Sequence, residues 1–552
     1  HDAADLSSHR SRADAANEAS DQDVSEQGDL EQGDLEKGDH PASVAPAEED
    51  AGEVKSDQKL DTPSAIRWSA FSSYSVLAIR LLVSIGLARL LLPEAFGLYS
   101  MGYVLVGIAG KLKTMGFAAA IIQRPEINRR FLNAIFWSNL GLCSGIALLI
   151  ALSAPFSASW FGQPVLLPLT WLLSLTLFGP GLTLVPMAML QKQFAFNRLA
   201  VREVGEMTVI GVSTISAAAM GMGVWSLAIG EILGMAYRII ALYAVFPFKP
   251  GLDCDWGSMR ETTKFGVHVT VARLVQHAAT SMDVMAIGFV LGPIPLGLYA
   301  VASRYMRLPR DLVDRFANRV LFSVFCRDQG DAERIADTFL RARSAACLIV
   351  FPCLFGLAIV ATPFVLGVLG PKWFDSIPVL QFLCVACAIE SVGATNRKLL
   401  IATDRTGSLV KLSIVQAVVR GLFVFVGCQW DIRAVAIACL LSTLVTVPIS
   451  LRYVFLAVPR LTAARLSRAV MHASLPTMVM SAAVLPLVLC FDTYGVPHLV
   501  TLFVAIVVAS LVYLLALIWI SPPGFQDMLR LLPKRARRIP ILSLAFSGPA
   551  SG

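Results

Sequence analysis

Apolar stretches of bilayer length recur along the sequence between residues 66 and 520. A helix of about 20 apolar residues spans the roughly 30 Å hydrocarbon core of a membrane, so each stretch is long enough to cross it once. Only 15% of the residues are charged, whereas soluble domains contain about a quarter. The sequence therefore predicts an all-α polytopic membrane protein.

About fourteen transmembrane helices can be counted in this way. The stretches lie at 66–91, 97–122, 132–154, 166–190, 204–222, 224–246, 267–292, 297–325, 343–369, 377–401, 410–428, 433–457, 470–490 and 498–520. The first twelve form two series of six, and two additional stretches follow the second series.

A motif at the second stretch returns at the eighth. PEAFGLYSMGY occupies residues 93–103, and PIPLGLYAVASRY occupies residues 293–305, so that Pro, Gly, Leu and Tyr coincide. Further matches follow at slowly growing offsets, including Pro155 with Pro363 and Pro168 with Pro378, as loop insertions in a duplicated chain would produce. Because each unit holds an even number of spans, the two six-helix repeats are predicted to be parallel.

Composition divides the chain into five predicted parts. They are a disordered, acidic cytoplasmic tail at 1–62, a six-helix lobe at 63–250, a second six-helix lobe at 251–460, two additional helices at 461–525 and a basic cytoplasmic tail at 526–552. The first tail contains the repeats EQGDL, EQGDL and EKGDH and too little apolar surface to order itself. The second tail is either solvated or rests on anionic membrane lipids.

Lysine and arginine are distributed unevenly between alternate loops. Loops such as LLPEAFG, WFGQP and MGMG contain none, whereas the loops between them carry clusters such as Arg124, Arg129 and Arg130. Basic loops stay on the cytoplasmic side of a membrane. The alternation therefore predicts that both termini are cytoplasmic.

Charged residues within the predicted spans are concentrated at the start of each repeat. Such charges are costly in hydrocarbon and by default indicate function. The candidates are Arg80 in the first span, Arg273, His277 and Asp283 in the seventh, and Arg304, Arg307, Asp311 and Asp314 in the eighth. An excess of arginine in a cavity favours an anionic ligand such as phosphate.

Structural roles are the alternative for each of these residues. Arg80 could reach the membrane surface, and Asp283 could pair with an arginine. Arg307 and Asp311 have the i, i+4 spacing of a helical ion pair, whereas a partner for Arg304 must come from another helix. Glutamates in or near other spans are expected to be partners between helices: Glu203, Glu206, Glu231 and Glu390.

Several other motifs lack the context that their chemistry requires. Cys384 and Cys387 form a CxxC pair, but the sequence has no second pair of this kind. Asp253 and Asp255 form a DxD motif, but no α/β domain is attached to it. The phosphate-binding motif GxxxxGK[ST] is not present in the sequence. We therefore expect no catalytic residue, metal site, cofactor or nucleic-acid partner.

Three segments, ARLLLPEAFGLYSMG, GFAAAIIQR and LGLYAVASRY, resemble those of Wzx-type polysaccharide transporters. These are oligosaccharide-lipid flippases of the multidrug/oligosaccharidyl-lipid/polysaccharide exporter superfamily. The resemblance covers about residues 64–520, and the acidic tail departs from it. It implies a multi-pass protein of the bacterial inner membrane that translocates an undecaprenyl-diphosphate-linked repeat unit for exopolysaccharide or lipopolysaccharide biosynthesis.

The resemblance also implies a site and partners. In related flippases, arginines between the first, second, seventh and eighth helices handle the diphosphate, and the matching positions here are Arg80, Arg273, Arg304 and Arg307. A polysaccharide polymerase and chain-length machinery would be further partners. Two other functions stay open: a cation-coupled multidrug antiporter of the same superfamily, and a membrane polysaccharide polymerase or ligase.

Overall fold

The computed structural model describes residues 62–110, 117–124, 127–255, 281–327, 332–402, 405–458 and 460–520. The predicted tails lie outside these ranges, except for residue 62. Arg273 and His277 also lie outside them. All long elements within the described ranges are helices.

The helices follow the predicted spans in order. The first series is α1 Thr62–Leu90, α2 Pro93–Ala109, α3 Arg129–Trp160, α4 Leu166–Lys192, α5 Phe196–Ala219 and α6 Val224–Val245. The second is α7 Ser281–Val290, α8 Pro293–Arg327, α9 Ala332–Ile359, α10 Ser376–Ala402, α11 Thr406–Gly427 and α12 Ile432–Ala457, followed by α13 Ala463–Thr493 and α14 His498–Ile520. Short helical pieces lie at Phe117–Gln123 and between α9 and α10.

Ten of the described helices are long and apolar enough to cross a membrane. The other four are α2, which has 17 residues, the charged helices α5 and α8, and α7, of which ten residues are described. The prediction of an all-helical, multi-pass membrane protein is confirmed. The predicted count of fourteen spans is not confirmed.

Local sequence explains where several helices begin. Pro93 and Pro293 open α2 and α8, where the fixed φ of proline suits the first helical position. The side chains of Asn128 and Asp431 accept hydrogen bonds from backbone amides at the starts of α3 and α12, over 3.2 and 2.7 Å. Such caps satisfy donors that a helix start would otherwise leave unpaired.

The repeated motif forms the main contact between the two series. α2 packs against α8 through the beginnings of both helices. A Cβ atom placed on Gly97 would overlap the carbonyl of Pro293, and one placed on Gly297 would overlap the carbonyl of Pro93. This reciprocity is what a two-fold relation between repeats produces. The glycines are needed because they let the two backbones touch.

A second contact between the series lies at the same end of the bundle, which we call the motif end. Arg89, in the last turn of α1, donates from Nε to the carbonyl of Val368 over 2.6 Å and also donates to the carbonyl of Gly367. Lys372 returns a hydrogen bond of 2.8 Å to the Arg89 carbonyl. Partial burial and the Arg89 guanidinium lower the pKa of the Lys372 ammonium.

Trp373 completes this contact. Its indole nitrogen donates to the carbonyl of Ala88 over 2.9 Å, and its ring meets Phe96 edge to face at 5.4 Å between centroids. Trp373 is fully buried. The motif end is therefore held closed by backbone contact, hydrogen bonds and aromatic packing.

The opposite end of the bundle contains the DxD sequence. Asp253 forms an exposed ion pair of 2.7 Å with Arg130 at the start of α3. Asn133 donates to the Asp253 carbonyl and accepts from the Gly251 amide, each over 3.0 Å. Asp253 therefore has structural contacts that attach the segment after α6 to α3.

The contact at the motif end predicts that alanine lowers stability at one of two matched glycines and not at the other. We expect Gly97→Ala to lower the melting temperature in detergent, since relief of the overlap with Pro293 must move backbone and overpacking costs about 1–3 kcal/mol. Gly145→Ala in α3 is the control, because an added Cβ there meets no atom within 4 Å. Equal melting temperatures for the two variants would show that the close contact does not hold the series together.

Candidate functional site

Arg304 connects the second series to the first. It lies on α8, and its Nη1 is 3.5 Å from the hydroxyl of Ser84 on α1. Its guanidinium carbon is 6.0 Å from the ring centroid of Phe96 on α2. Ser84 also shares a hydrogen bond of 3.0 Å with Tyr305. The predicted partner from another helix is therefore a hydroxyl and a ring rather than a carboxylate.

Arg80 and Arg304 both lie near Glu231. Glu231 is on α6, where the charges of Arg80, Arg304, Arg238 and Glu206 act on it. Two of the four arginines selected from the sequence, one from each series, thus act electrostatically on the same carboxylate.

Glu206 forms ion pairs with two neighbouring arginines. It accepts from Arg202 over 2.7 Å within α5 and lies 2.5 Å from Arg238 of α6. Glu203 accepts a hydrogen bond of 2.6 Å from Ser72 on α1. The expected role of these glutamates as partners between helices is therefore observed.

We call Arg80, Arg202, Glu206, Glu231, Arg238 and Arg304 the arginine-rich cluster. Its four arginines outnumber its two glutamates, and Glu206 already pairs with two of the arginines. Within the described part of the chain, no carboxylate lies within 4 Å of Arg80 or Arg304. Both side chains are exposed. The cluster thus presents two guanidinium groups that can receive an anion.

A second charged network lies within the second series and is neutral. Asp283 on α7 is only 3% exposed, accepts from Tyr299 over 2.7 Å and lies 2.8 Å from Nη2 of Arg420 on α11. Arg420 is also 3.9 Å from Glu390 on α10, and Arg310 on α8 is 3.0 Å from the same glutamate. We call these four charged residues the balanced network.

The remaining predicted residues take no part in these contacts. Arg307 and Asp311 are exposed on α8 and form no ion pair with each other. Asp314 lies on the same helix, but its side chain is outside the described part. Arg273 and His277 precede the first described residue of α7. Their proposed roles stay predictions.

Two arginines with contacts inside the bundle are not among the candidate residues selected from the sequence. Arg420 stands alone in the apolar stretch VVRGLFV, so the rule that selects Arg80 also selects it. Arg343, the first residue of the ninth predicted span, is fully buried on α9. Arg343 donates to Asn396, which donates to Ser450 over 3.1 Å, and its guanidinium carbon lies 4.4 Å from the Phe339 ring centroid.

Known proteins of similar sequence are concerned with polysaccharides. The model of a family described as "Polysaccharide biosynthesis protein" matches residues 86–378. Lipopolysaccharide biosynthesis protein WzxC of Escherichia coli K12 is 29% identical over 364 residues, which cover 64% of this chain and 72% of that protein. Succinoglycan biosynthesis transport protein ExoT of Rhizobium meliloti is 24% identical over 328 residues, 59% of this chain and 66% of that one.

A solved structure shares the fold. The lipid II flippase MurJ in an inward closed conformation superimposes with a TM-score of 0.66 and covers 84% of this chain and 100% of its own. The sequences are 13% identical, so the likeness concerns architecture. It supports the all-helical membrane fold.

The balanced network predicts that replacing Arg420 by alanine lowers stability more than replacing Arg433 does. Arg420→Ala leaves Asp283 buried without its main partner, so we expect a loss of about 3–5 kcal/mol in stability. Arg433→Ala breaks an exposed pair with Asp375 and is expected to cost about 1 kcal/mol or less. Thermal melting in detergent measures both. Similar melting temperatures for the two variants would mean that Asp283 does not depend on Arg420.

Proposed function

Because the chain belongs to the polysaccharide biosynthesis protein family, we propose that it translocates an oligosaccharide linked to undecaprenyl diphosphate across the bacterial inner membrane. The chain is a transporter rather than an enzyme, as its relative ExoT is named a transport protein. Its product would enter exopolysaccharide or lipopolysaccharide biosynthesis. A polysaccharide polymerase and chain-length machinery would act on the unit after it crosses.

The observation that carries this proposal is the pair Arg80 and Arg304. They come from opposite series, lie near the same carboxylate and form no ion pair with any described residue. Planar guanidinium groups bind phosphate oxygens through paired charge-assisted hydrogen bonds. A diphosphate offers enough oxygens for both arginines and supplies the negative charge that the cluster lacks.

An apolar groove lies beside these arginines. It has a volume of about 880 Å³ and is bounded by α1, α8, α9, α13 and α14. Leu81 follows Arg80 on α1 and Tyr305 follows Arg304 on α8, and both line the groove. A long prenyl chain is apolar and would be stabilised there. The arginines that would bind the phosphate groups thus lie next to an apolar surface that would bind the prenyl chain.

The predicted orientation places the motif end on the periplasmic side of the membrane. Loops at that end are poor in lysine and arginine, and the opposite loops are rich in them. With both termini in the cytoplasm, the closed motif end faces the periplasm. The conformation then suits loading of cargo from the cytoplasmic side.

The alternatives fit the charges less well. A lipophilic cation would be repelled by the excess of arginine in the cluster, which disfavours a multidrug antiporter. A polymerase or ligase needs a substantial external loop for its catalytic residues. Most described connections at the motif end are short, such as the two residues between α1 and α2, and the longer one between α9 and α10 is largely short helical pieces.

Removal of either arginine should slow transport strongly and leave the amount of protein unchanged. A charge-assisted hydrogen bond contributes about 1.5–3 kcal/mol, so we expect Arg304→Ala and Arg80→Ala to slow flipping at least about tenfold in reconstituted liposomes. Lysine at either position keeps the charge without the paired geometry and should retain part of the rate. The sequence makes the same prediction for Arg273.

Arg130→Ala is the matched control, since Arg130 is exposed and pairs with Asp253 outside the cluster. It should flip cargo at nearly the wild-type rate. Normal flipping by both alanine variants of the cluster would exclude the anionic cargo and leave a transporter of another substrate.

A further inference from the structure

We propose that Arg202 and Arg238 form a second phosphate subsite, at which the diphosphate of the cargo binds before it reaches Arg80 and Arg304. The inference rests on the proposed function and deepens it. Glu206 bridges the two arginines and holds their guanidinium groups together while no cargo is bound. We call Arg202, Glu206 and Arg238 the bridged triad.

Two arginines of the bridged triad share the two oxygens of one carboxylate. Nη1 of Arg202 donates to Oε2 of Glu206 over 2.7 Å within α5. Nε of Arg238, on α6, donates to Oε1 of the same glutamate over 2.8 Å. The side chains of Arg202, Glu206 and Arg238 are 11%, 12% and 24% exposed. One acid therefore holds two guanidinium groups side by side on neighbouring helices.

The positive charge of the bridged triad exceeds what its carboxylate compensates. The balanced network, in contrast, contains two arginines and two acids. Nε of Arg202 is buried and has no hydrogen-bond acceptor among the described residues. Uncompensated charge and unpaired donors are both unfavourable within a membrane. A phosphate group that joins the triad would supply negative charge and additional acceptors.

Two contacts establish how α5 lies against α1. Ser72 of α1 donates to Glu203 of α5 over 2.6 Å. Farther along both helices, a Cβ atom on Gly211 would meet the side chain of Val83, and these partners are separated by nearly the same number of positions. The two helices therefore run side by side in the same direction, and each level of α1 has a counterpart on α5.

This register places the bridged triad nearer than Arg80 to the end that lies opposite the motif end. Arg80 is level with residues 208–211 of α5. Arg202 lies roughly 9–14 Å before that level, at 1.5 Å per residue, and Glu206 lies between the two. In the proposed orientation, cargo that enters from the cytoplasm meets the triad first.

The shared acid makes this subsite weaker than the deeper pair. A phosphate group that binds the triad must compete with Glu206 for the guanidinium donors. No described carboxylate lies within 4 Å of Arg80 or Arg304, so the deeper pair offers its donors without such competition. The order of affinities therefore favours passage of the diphosphate from the triad to Arg80 and Arg304.

A purely structural role would require only one arginine for Glu206, because a one-to-one pair is neutral. Arg202→Gln leaves Glu206 paired with Arg238, and Arg238→Gln leaves it paired with Arg202. Neither variant leaves a buried acid without a partner. We therefore expect both variants to fold, and an effect on phosphate binding then reports the subsite itself.

Residual binding by a protein that lacks the deeper pair tests the subsite. Farnesyl diphosphate is titrated into the purified Arg80→Ala/Arg304→Ala variant in detergent, with farnesol as the uncharged reference. We expect this variant to keep a preference of about fivefold for the diphosphate, because the triad still supplies guanidinium donors. Addition of Arg202→Gln should abolish that preference, and addition of Arg238→Gln is an independent measurement with the same expected result.

Arg465→Gln is the matched control. Arg465 of α13 lies at the same end of the bundle and forms a one-to-one ion pair of 2.7 Å with Asp337 of α9. Its replacement removes the same charge as Arg202→Gln without touching the triad. In the Arg80→Ala/Arg304→Ala background, it should leave the fivefold preference unchanged.

A protein without Arg80 and Arg304 that binds the diphosphate no better than farnesol would overturn the proposal. A preference that survives Arg202→Gln or Arg238→Gln would also overturn it, as would an equal loss with Arg465→Gln, since net charge alone would then explain the effect. The proposed function fails in a different way: wild type and the Arg80→Ala/Arg304→Ala variant would prefer the diphosphate equally.

Discussion

The close backbone contact between α2 and α8 determines how the two series meet. Gly97 lies against the carbonyl of Pro293, and Gly297 lies against the carbonyl of Pro93, so a side chain at either glycine would separate the helices. This contact brings α8 beside α1 and α2. Arg304 can consequently reach Ser84 and the Phe96 ring, which belong to the other series. Without the contact, Arg304 would not join the five residues of the cluster that belong to the first series.

Charge within the bundle is divided unequally between two places. The balanced network pairs Asp283 with Arg420 and Glu390 with Arg310, so its charges are compensated within the protein. The arginine-rich cluster has more arginines than glutamates. Unpaired charge is unfavourable within the membrane. The charges of the balanced network already compensate each other, whereas the arginine-rich cluster would be stabilised by a bound anion. The apolar groove beside the cluster suits the lipid that would carry that anion.

Sequence alone predicts the helical membrane fold and the repeated motif, and it selects Arg80 and Arg304 as candidates, because length, periodicity and the cost of charge in hydrocarbon are local properties. It does not predict that the repeated glycines face each other, since that depends on how helices pack. Arg304 is recognisable as a charge that needs a partner, but its contacts with Ser84 and the Phe96 ring depend on how α8 packs against α1 and α2. Arg420 meets the same criterion as Arg80, because both arginines lie within predicted spans.

Recognition of charge at the cluster is the central claim, and a pair of ligands that differ only in charge tests it most directly. Equilibrium binding of farnesyl diphosphate and of farnesol would be measured on wild type and on the double variant Arg80→Ala/Arg304→Ala. We expect wild type to prefer the diphosphate by a factor of about one hundred, equivalent to roughly 2.7 kcal/mol, and the double variant to lose most of that preference. Equal affinity of wild type for the two ligands would contradict the account.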